Sequence, residues 1–453
     1  MNKRISAIAL LTASAFLMSA CSSSRITSTD APQTDSEAQE TEGSDGSDSS
    51  DGSDVSDAAS DAGTTETTAA PENSYRAFAS DDSSFSLIAD GCATPVRSQG
   101  TGACFANAAA TAMESSCLRL TGEEITVDAD TLVWESYGTQ GDEDPTREGM
   151  HYTTVPVFDM GTWGMLPANV AANGLIDSIV LTSYWDLTEH PVEEAQEVMR
   201  QNGALVIGIA DDSFRTYPHG GYMSLNTDSE KEEHMIALVG WDDDFPADYY
   251  NFPAEENGAW YAQNSFSTSW GNNGFMWVSY EIWKAEMYSL RVSPYYTHVE
   301  SYDSGWTESI ATGNATTTAN VFYYSGTIGA VGTFLLEEGE NLHLDIYDGR
   351  FGELLYSQDA SFIYKGYDTI VLDEPVTVDG EFTVSITYDA PAPVDGETHD
   401  LENYAYILVI SEPGQSYVLL DGEWYDLTEE TTSELLGTDF VANNACIKVL
   451  FEE

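Results

Sequence analysis

Residues Gln99-Gly100-Thr101-Gly102-Ala103-Cys104-Phe105-Ala106 decide how this chain reads: a glycine-rich loop runs into an alanine-rich segment and delivers a thiol at the junction. Ala106, Ala109, Ala110, Met113, Cys117 and Leu120 recur at three- and four-residue intervals, which predicts a helix over 105–120 with Gly122 as its stop. Cys104 then sits at the helix N-terminus. Unpaired backbone N–H groups and the positive end of the helix dipole favour a thiolate there, the reactive form of the side chain. A lone cysteine is more often an inert core residue, so the reading needs partners.

Two downstream motifs supply them. His234-Met235-Ile236-Ala237-Leu238-Val239-Gly240-Trp241-Asp242 places a histidine at the mouth of a continuous apolar run that reads as a buried strand. Trp260-Tyr261-Ala262-Gln263-Asn264-Ser265-Phe266-Ser267-Thr268-Ser269-Trp270-Gly271 places an asparagine at the end of another strand, among aromatic rings. An imidazole can share the thiol's proton and hold the resulting ion pair. A carboxamide oxygen can accept the other ring N–H and orient the imidazole without neutralising it.

Cysteine, histidine and asparagine in that order resemble the papain family of cysteine peptidases. The family's Cys-Trp-Ala-Phe stands here as Cys104-Phe105-Ala106-Asn107, its His-Ala-Val and Gly-Tyr as His234 to Trp241, and its Asn-Ser-Trp-Gly-x-x-Trp-Gly as Asn264 to Gly271. His234 follows Cys104 by 130 residues and Asn264 by 160, a spacing similar to that of papain-like enzymes. The resemblance implies a two-lobed α+β fold, helices first and an antiparallel sheet after, with the active site in the groove between the halves. It implies Cys104 as nucleophile, His234 as base and Asn264 as its orienting partner. The oxyanion hole would be the Cys104 backbone N–H and the Gln99 side-chain amide, and Phe266 with Trp270 would shield the His234–Asn264 hydrogen bond. No metal and no cofactor are implied. The chain departs from the family in one loop: five steps rather than six separate Gln99 from Cys104, and Thr101 stands where the family keeps a structural cysteine. Ser98 is the alternative donor in that shortened loop. His151, His190, His219 and His343 lack a matching context and read as surface or loop residues, and Trp277 as a core residue.

Ahead of this region, Lys3 and Arg4 precede an apolar stretch from Ile5 to Met18, and Leu17-Met18-Ser19-Ala20-Cys21 resembles a bacterial lipoprotein signal. The resemblance implies cleavage before Cys21, lipidation of its thiol, and a place on the extracellular face of the bacterial membrane. Residues 22–74 are Ser, Asp, Thr, Gly, Glu and Ala with about a dozen acidic side chains, and read as an extended tether rather than an inhibitory propeptide. The formal net charge of −62 over 453 residues argues against nucleic acid or an anionic membrane surface as partner. With Cys21 assigned to lipid and Cys104 to catalysis, Cys92, Cys117 and Cys446 leave room for at most one internal bridge.

The expected organisation is signal and attachment cysteine at 1–21, tether at 22–74, peptidase domain at 75–292 and a β-sandwich at 293–453. Within the second-last of these, a helix over 191–202 and a buried strand over 204–210 are expected. From 293 onward short alternating stretches (319–324, 342–347, 382–388, 404–410) separated by Gly, Asp and Pro predict a sandwich. Gly414-Gln415-Ser416-Tyr417 and Asp421-Gly422-Glu423-Trp424-Tyr425-Asp426 resemble the lectin-like domain that follows papain-type domains in some surface proteases. Tyr417 and Trp424 offer rings for stacking on a sugar or for packing a core. The expectation is a surface-anchored cysteine endopeptidase acting on protein or peptide substrates, with the β-domain read first as a structural unit packed beside the peptidase and second as a contact for carbohydrate or cell wall. The alternatives are a catalytically silent papain-like binding protein and a peptidoglycan endopeptidase.

Overall fold

A computed structural model describes residues 83–100, 102–136, 149–152, 165–177, 179–210, 224–230, 234–250, 252–303, 310–311, 315–396, 398–400, 405–436 and 442–452. Cys21, the tether and His219 lie outside them.

Helix α1 spans Cys104–Thr121 and ends at Gly122, whose φ of +77° lets its N–H reach back to the Leu118 carbonyl at 3.0 Å. Every residue from Cys104 to Cys117 is buried, so the helix lies inside the fold rather than along its surface. Small side chains make that possible, and several of the polar ones are hydrogen-bonded. Thr111 Oγ1 donates to the Asn107 carbonyl (2.9 Å), Ser115 Oγ donates to the Cys92 carbonyl (2.7 Å), and the Ala204 N–H donates to Ser115 Oγ (3.0 Å). Leu120, expected on the apolar face, is exposed instead, because the last turn has left the core. Helices α2 (Ala129–Ser136), α3 (Met165–Ala172) and α4 (Val192–Asn202) follow.

Against α1 lies a sheet whose strands run in the order Val180–Asp186, Met287–Ser293, Leu205–Ile209, His234–Asp242, Ala259–Gln263, Phe275–Ser279 and Ser224–Leu225. All neighbours are antiparallel except the last pair. The His234–Asp242 strand is buried up to Trp241 and sits mid-sheet, where an unbroken Val/Ile/Leu/Ala run belongs. Its first residue pairs with Ile209, so His234 stands at the strand's entrance.

The C-terminal half is β-rich, as the alternation implies, but its strands are longer than expected. Thr317–Leu335 and Gly366–Tyr388 pair along almost their whole lengths, with 19 and 23 residues. One irregularity explains how they bend: Ile328 pairs with Val376 but Ala330 pairs with Val371, so residues 372–375 loop out opposite Gly329. Pro375, which has no N–H to give a ladder, falls in that bulge. Of the short stretches read from sequence, 319–324 and 382–388 are thus segments of these two bulged strands, whereas 342–347 falls in a strand of its own, Asn341–Asp348.

The two halves share one sheet. Gly366, Tyr367 and Asp368 pair antiparallel with Trp185, Tyr184 and Ser183. Phe334, Tyr367 and Cys446 from the C-terminal half belong to the same apolar core as α1. A second core fills the sandwich around Phe322, Phe382, Ile386 and Val449. Among the described residues no helix is long and apolar enough to cross a membrane.

Candidate active site

The loop before Cys104 is zipped to the segment that carries Asn264. Gln263 Nε2 donates to the Pro95 carbonyl (3.2 Å), Ser267 N–H to the Arg97 carbonyl (2.9 Å) and Gln99 N–H to the Ser265 carbonyl (2.8 Å), while Ser98 and Phe266 face each other in a β-bridge. Ser265 Oγ donates to Gln99 Oε1. With its oxygen engaged, the Gln99 carboxamide is left with Nε2 as its outward donor. Ser98, by contrast, is exposed.

His234 is 2% exposed, and its Nε2 lies 3.0 Å from Asn264 Oδ1. Asn264, 1% exposed, follows its strand directly. The Asn264 N–H donates to the Gly274 carbonyl (2.8 Å), and its Oδ1 also accepts the Ser265 N–H (2.7 Å). That acceptor geometry makes His234 Nε2 the N–H nitrogen and frees Nδ1 for a second partner. The Phe266 ring tilts over the imidazole at 5.0 Å, and Trp270 meets Phe266 edge-on at 5.8 Å. Two rings therefore keep water from a hydrogen bond that water would weaken. Cys104, buried, opens α1, and Asn107 and Ala108 one turn later line the same crevice as Met235, Asn264 and Ser265. The structure thus gathers Gln99, Asn264, His234, Phe266 and Trp270 by direct contacts and brings the first turns of α1 against them.

Residues 171–296 match the family model described as papain family cysteine protease, and residues 300–450 match one described as lectin like domain. The chain carries a papain-family protease domain followed by a lectin-like domain. A cathepsin L-like peptidase of Aedes aegypti is 27% identical over 201 residues, 41% of this chain and 55% of that protein. Procathepsin L of Felis catus is 27% identical over 207 residues, 41% of this chain and 57% of that protein. The chain spans little more than half the length of these curated relatives. Among solved structures, the clostridial cysteine protease Cwp84 after propeptide cleavage superposes with a TM-score of 0.64 at 17% identity, over 82% of this chain and 99% of that one. The cysteine protease and lectin-like domains of Cwp84, a surface layer associated protein of Clostridium difficile, give 0.64 at 16% identity, over 83% and 89%. At such identity the likeness is one of fold: a papain-like domain and an all-β lectin-like domain in a single chain.

Sequence reading missed the support beneath this candidate site. Arg97, two residues before Gln99, pairs through Nη2 with Glu114 of α1 and also donates to the Val127 carbonyl (3.1 Å); Glu114 Oε1 accepts the Val127 N–H (2.8 Å). A glutamate within the mostly small and apolar run 104–117 was the available signal, since a buried carboxylate needs a partner. The four described cysteines, Cys92, Cys104, Cys117 and Cys446, are buried and form no disulfide with one another. Burial pushes the Cys117 and Cys446 thiols up, so neither offers a competing thiolate.

His190 lies in a turn, as the surface-or-loop reading allows, but its side chain is only 11% exposed. It lies where the protease domain meets the lectin-like domain, with Nδ1 3.0 Å from Glu194 of α4 and Nε2 2.8 Å from Glu338. Burial pulls its pKa down, but the hydrogen bonds to the two carboxylates outweigh that and leave it raised. His343 stands on a strand beside Asp359 and Asp345 with its side chain 45% exposed, in keeping with a surface position.

Proposed function

We propose that this chain is a cell-surface cysteine endopeptidase whose nucleophile is Cys104. The Cys104 thiolate attacks the carbonyl carbon of a peptide bond. The oxyanion receives hydrogen bonds from the Cys104 backbone N–H and Gln99 Nε2. As the intermediate collapses, the C–N bond breaks and the His234 imidazolium gives its proton to the leaving amine. Water then attacks the thioester, His234 takes its proton, and the carboxylic acid product leaves with the thiolate restored. Asn264 holds the imidazole in one orientation throughout. The observation that carries this reading is the buried His234–Asn264 hydrogen bond under Phe266.

The family match and the cathepsin relatives support peptide-bond hydrolysis, and their substrate class, proteins or peptides, is the one we assign here. We place the enzyme on the outer face of the membrane, held by lipid on Cys21 and extended by the 22–74 tether, with the protease domain at 75–292 and the β-domain at 293–453. The surface-layer association of Cwp84 is in keeping with that location. The test is the pH profile of iodoacetamide labelling at Cys104 in the purified protein, with His234→Ala and Cys104→Ala as controls. Rapid labelling at mildly acidic pH that vanishes in His234→Ala is expected. Labelling that rises only near pH ~8.5, as for an ordinary thiol, overturns the assignment.

A further inference from the structure

Two turns meet at one end of the lectin-like domain. Residues 349–353 join the strands Asn341–Asp348 and Leu354–Ser361, and residues 421–422 join Ser416–Leu420 to Glu423–Asp426. Phe351 of the first turn stacks on Trp424 beside the second, with centroids 4.7 Å apart and planes 23° apart, and meets Tyr417 edge-on at 5.3 Å. None of the three rings is buried.

Phe351 has a φ of +52°, a left-handed conformation that is an outlier for an aromatic residue. Its loop is pinned in that shape. Gly349 N–H donates to the Glu381 carbonyl (2.9 Å), Phe351 N–H to Thr383 Oγ1 (3.1 Å), and the Thr383 hydroxyl to the Gly349 carbonyl (2.9 Å). Glycine would take this backbone without strain. A strained backbone that lifts a ring onto a second ring, both still open to solvent, is poorly explained by core packing, and such outliers cluster at functional sites.

Polar groups flank the rings. Arg350 Nη1 donates to the Tyr417 hydroxyl (2.6 Å), and its Nε and Nη2 share Glu381 Oε1 at 3.4 and 3.3 Å. Both side chains of that pair are close to half exposed, 45% and 42%. The guanidinium has five N–H donors, of which three are used in this way, and the carboxylate only accepts. A pyranose ring is the complement: an apolar C–H face to lie on the rings, and neighbouring hydroxyls that accept from one group and donate to the other. The chain's net charge of −62 disfavours an anionic sugar.

We propose that Phe351, Tyr417 and Trp424 form the floor of a glycan-binding site in which Arg350 and Glu381 engage adjacent hydroxyls of a neutral pyranose. The site is independent of the peptidase chemistry, and its test does not use Cys104. The full-length protein is titrated by calorimetry, and run in affinity gels, with β-1,4-linked hexamers of N-acetylglucosamine, glucose and mannose, and with a proline-rich decapeptide as the competing class. Binding of at least one oligosaccharide, weakened tenfold or more in Trp424→Ala and in Arg350→Ala, is expected. Phe351→Gly should weaken binding equally while leaving the melting temperature unchanged or raised, since the strain is relieved. Failure of all three sugars to bind, binding that survives the substitutions, binding of the peptide alone, or a fall in melting temperature for Phe351→Gly overturns the proposal.

Discussion

The two aromatic clusters of this molecule are built in opposite ways. In the protease domain Phe266 and Trp270 close over a hydrogen bond between two buried polar side chains, and the segment beneath them is tied to the Gln99 loop by backbone bonds. In the lectin-like domain Phe351, Tyr417 and Trp424 stand partly buried beside an exposed ion pair, with Phe351 on a turn held in a strained conformation. The first arrangement fixes one geometry by excluding water. The second leaves ring surface and donors available to a ligand. Buried polar groups are costly unless fully paired, so a closed cluster is rigid by necessity, whereas an open one is free to exchange water for a partner.

The sharpest way to break the comparison is at the closed site. Cys104→Ala should reduce kcat/KM on a fluorogenic peptide by roughly 10³-fold or more while shifting the melting temperature little, because the side chain lost is small. A variant that retains turnover would remove the protease site from the comparison.

Next in size are the buried charges. Lys448, 0% exposed, pairs with Asp303 and donates to Asn173 Oδ1 (2.6 Å) and Ser301 Oγ (3.2 Å), linking the end of α3 to two strands of the C-terminal half. Lys448→Ala leaves a buried carboxylate unpaired and should cost about 3–5 kcal/mol in chemical denaturation, whereas Lys448→Met with Asp303→Leu should recover most of it. Glu114→Gln removes the partner of Arg97 and should cost somewhat less, because Arg97 is partly solvated and the glutamine still accepts a hydrogen bond. The same change should lower kcat more than it raises KM, since Arg97 anchors the loop that carries Gln99. Equal loss of stability with unchanged kcat would show that the pair serves folding alone.

The smallest effect concerns pH at the joint between the domains. The raised pKa of His190 stabilises the folded state below its ordinary value of 6.5, and that contribution is lost as pH rises through the folded value. Glu194 is lowered, first by the hydrogen bond from His190, so its contribution holds above its ordinary value of 4.5 and is lost as pH falls through the folded value. The difference in melting temperature between the wild type and His190→Gln should therefore be largest between pH 4.5 and 6.5 and shrink on both sides. It should also shrink with added salt, since Glu194 and Glu338 are solvent-facing.

Much of the protease half is legible in the sequence because its information is local. The helix at Cys104, its stop at Gly122, the buried strand at His234 and the strand end at Asn264 each follow from a pattern within a dozen residues. The outer side of that reading fails where burial is set from elsewhere: Leu120 emerges, Glu114 is buried, and His190 becomes a bridge. In the C-terminal half the stretches at 319–324 and 382–388 disclose strands but not their length, because the 19- and 23-residue strands that contain them are defined by pairing with each other.

What the sequence by itself determined is the order of chemistry-bearing residues, the elements that hold them and the change from helix-bearing to β-rich texture, all carried by short-range periodicity and turn residues. Only the tertiary structure decided that Arg97 meets Glu114, that Lys448 meets Asp303, and that Tyr184 and Tyr367 join two domains in one sheet. The last two contacts join positions well over a hundred residues apart, and Arg97 is delivered to Glu114 by a loop that doubles back on its own helix. Their cause is the need to pair every buried charge and every sheet edge, a condition that exists only once the chain has closed on itself.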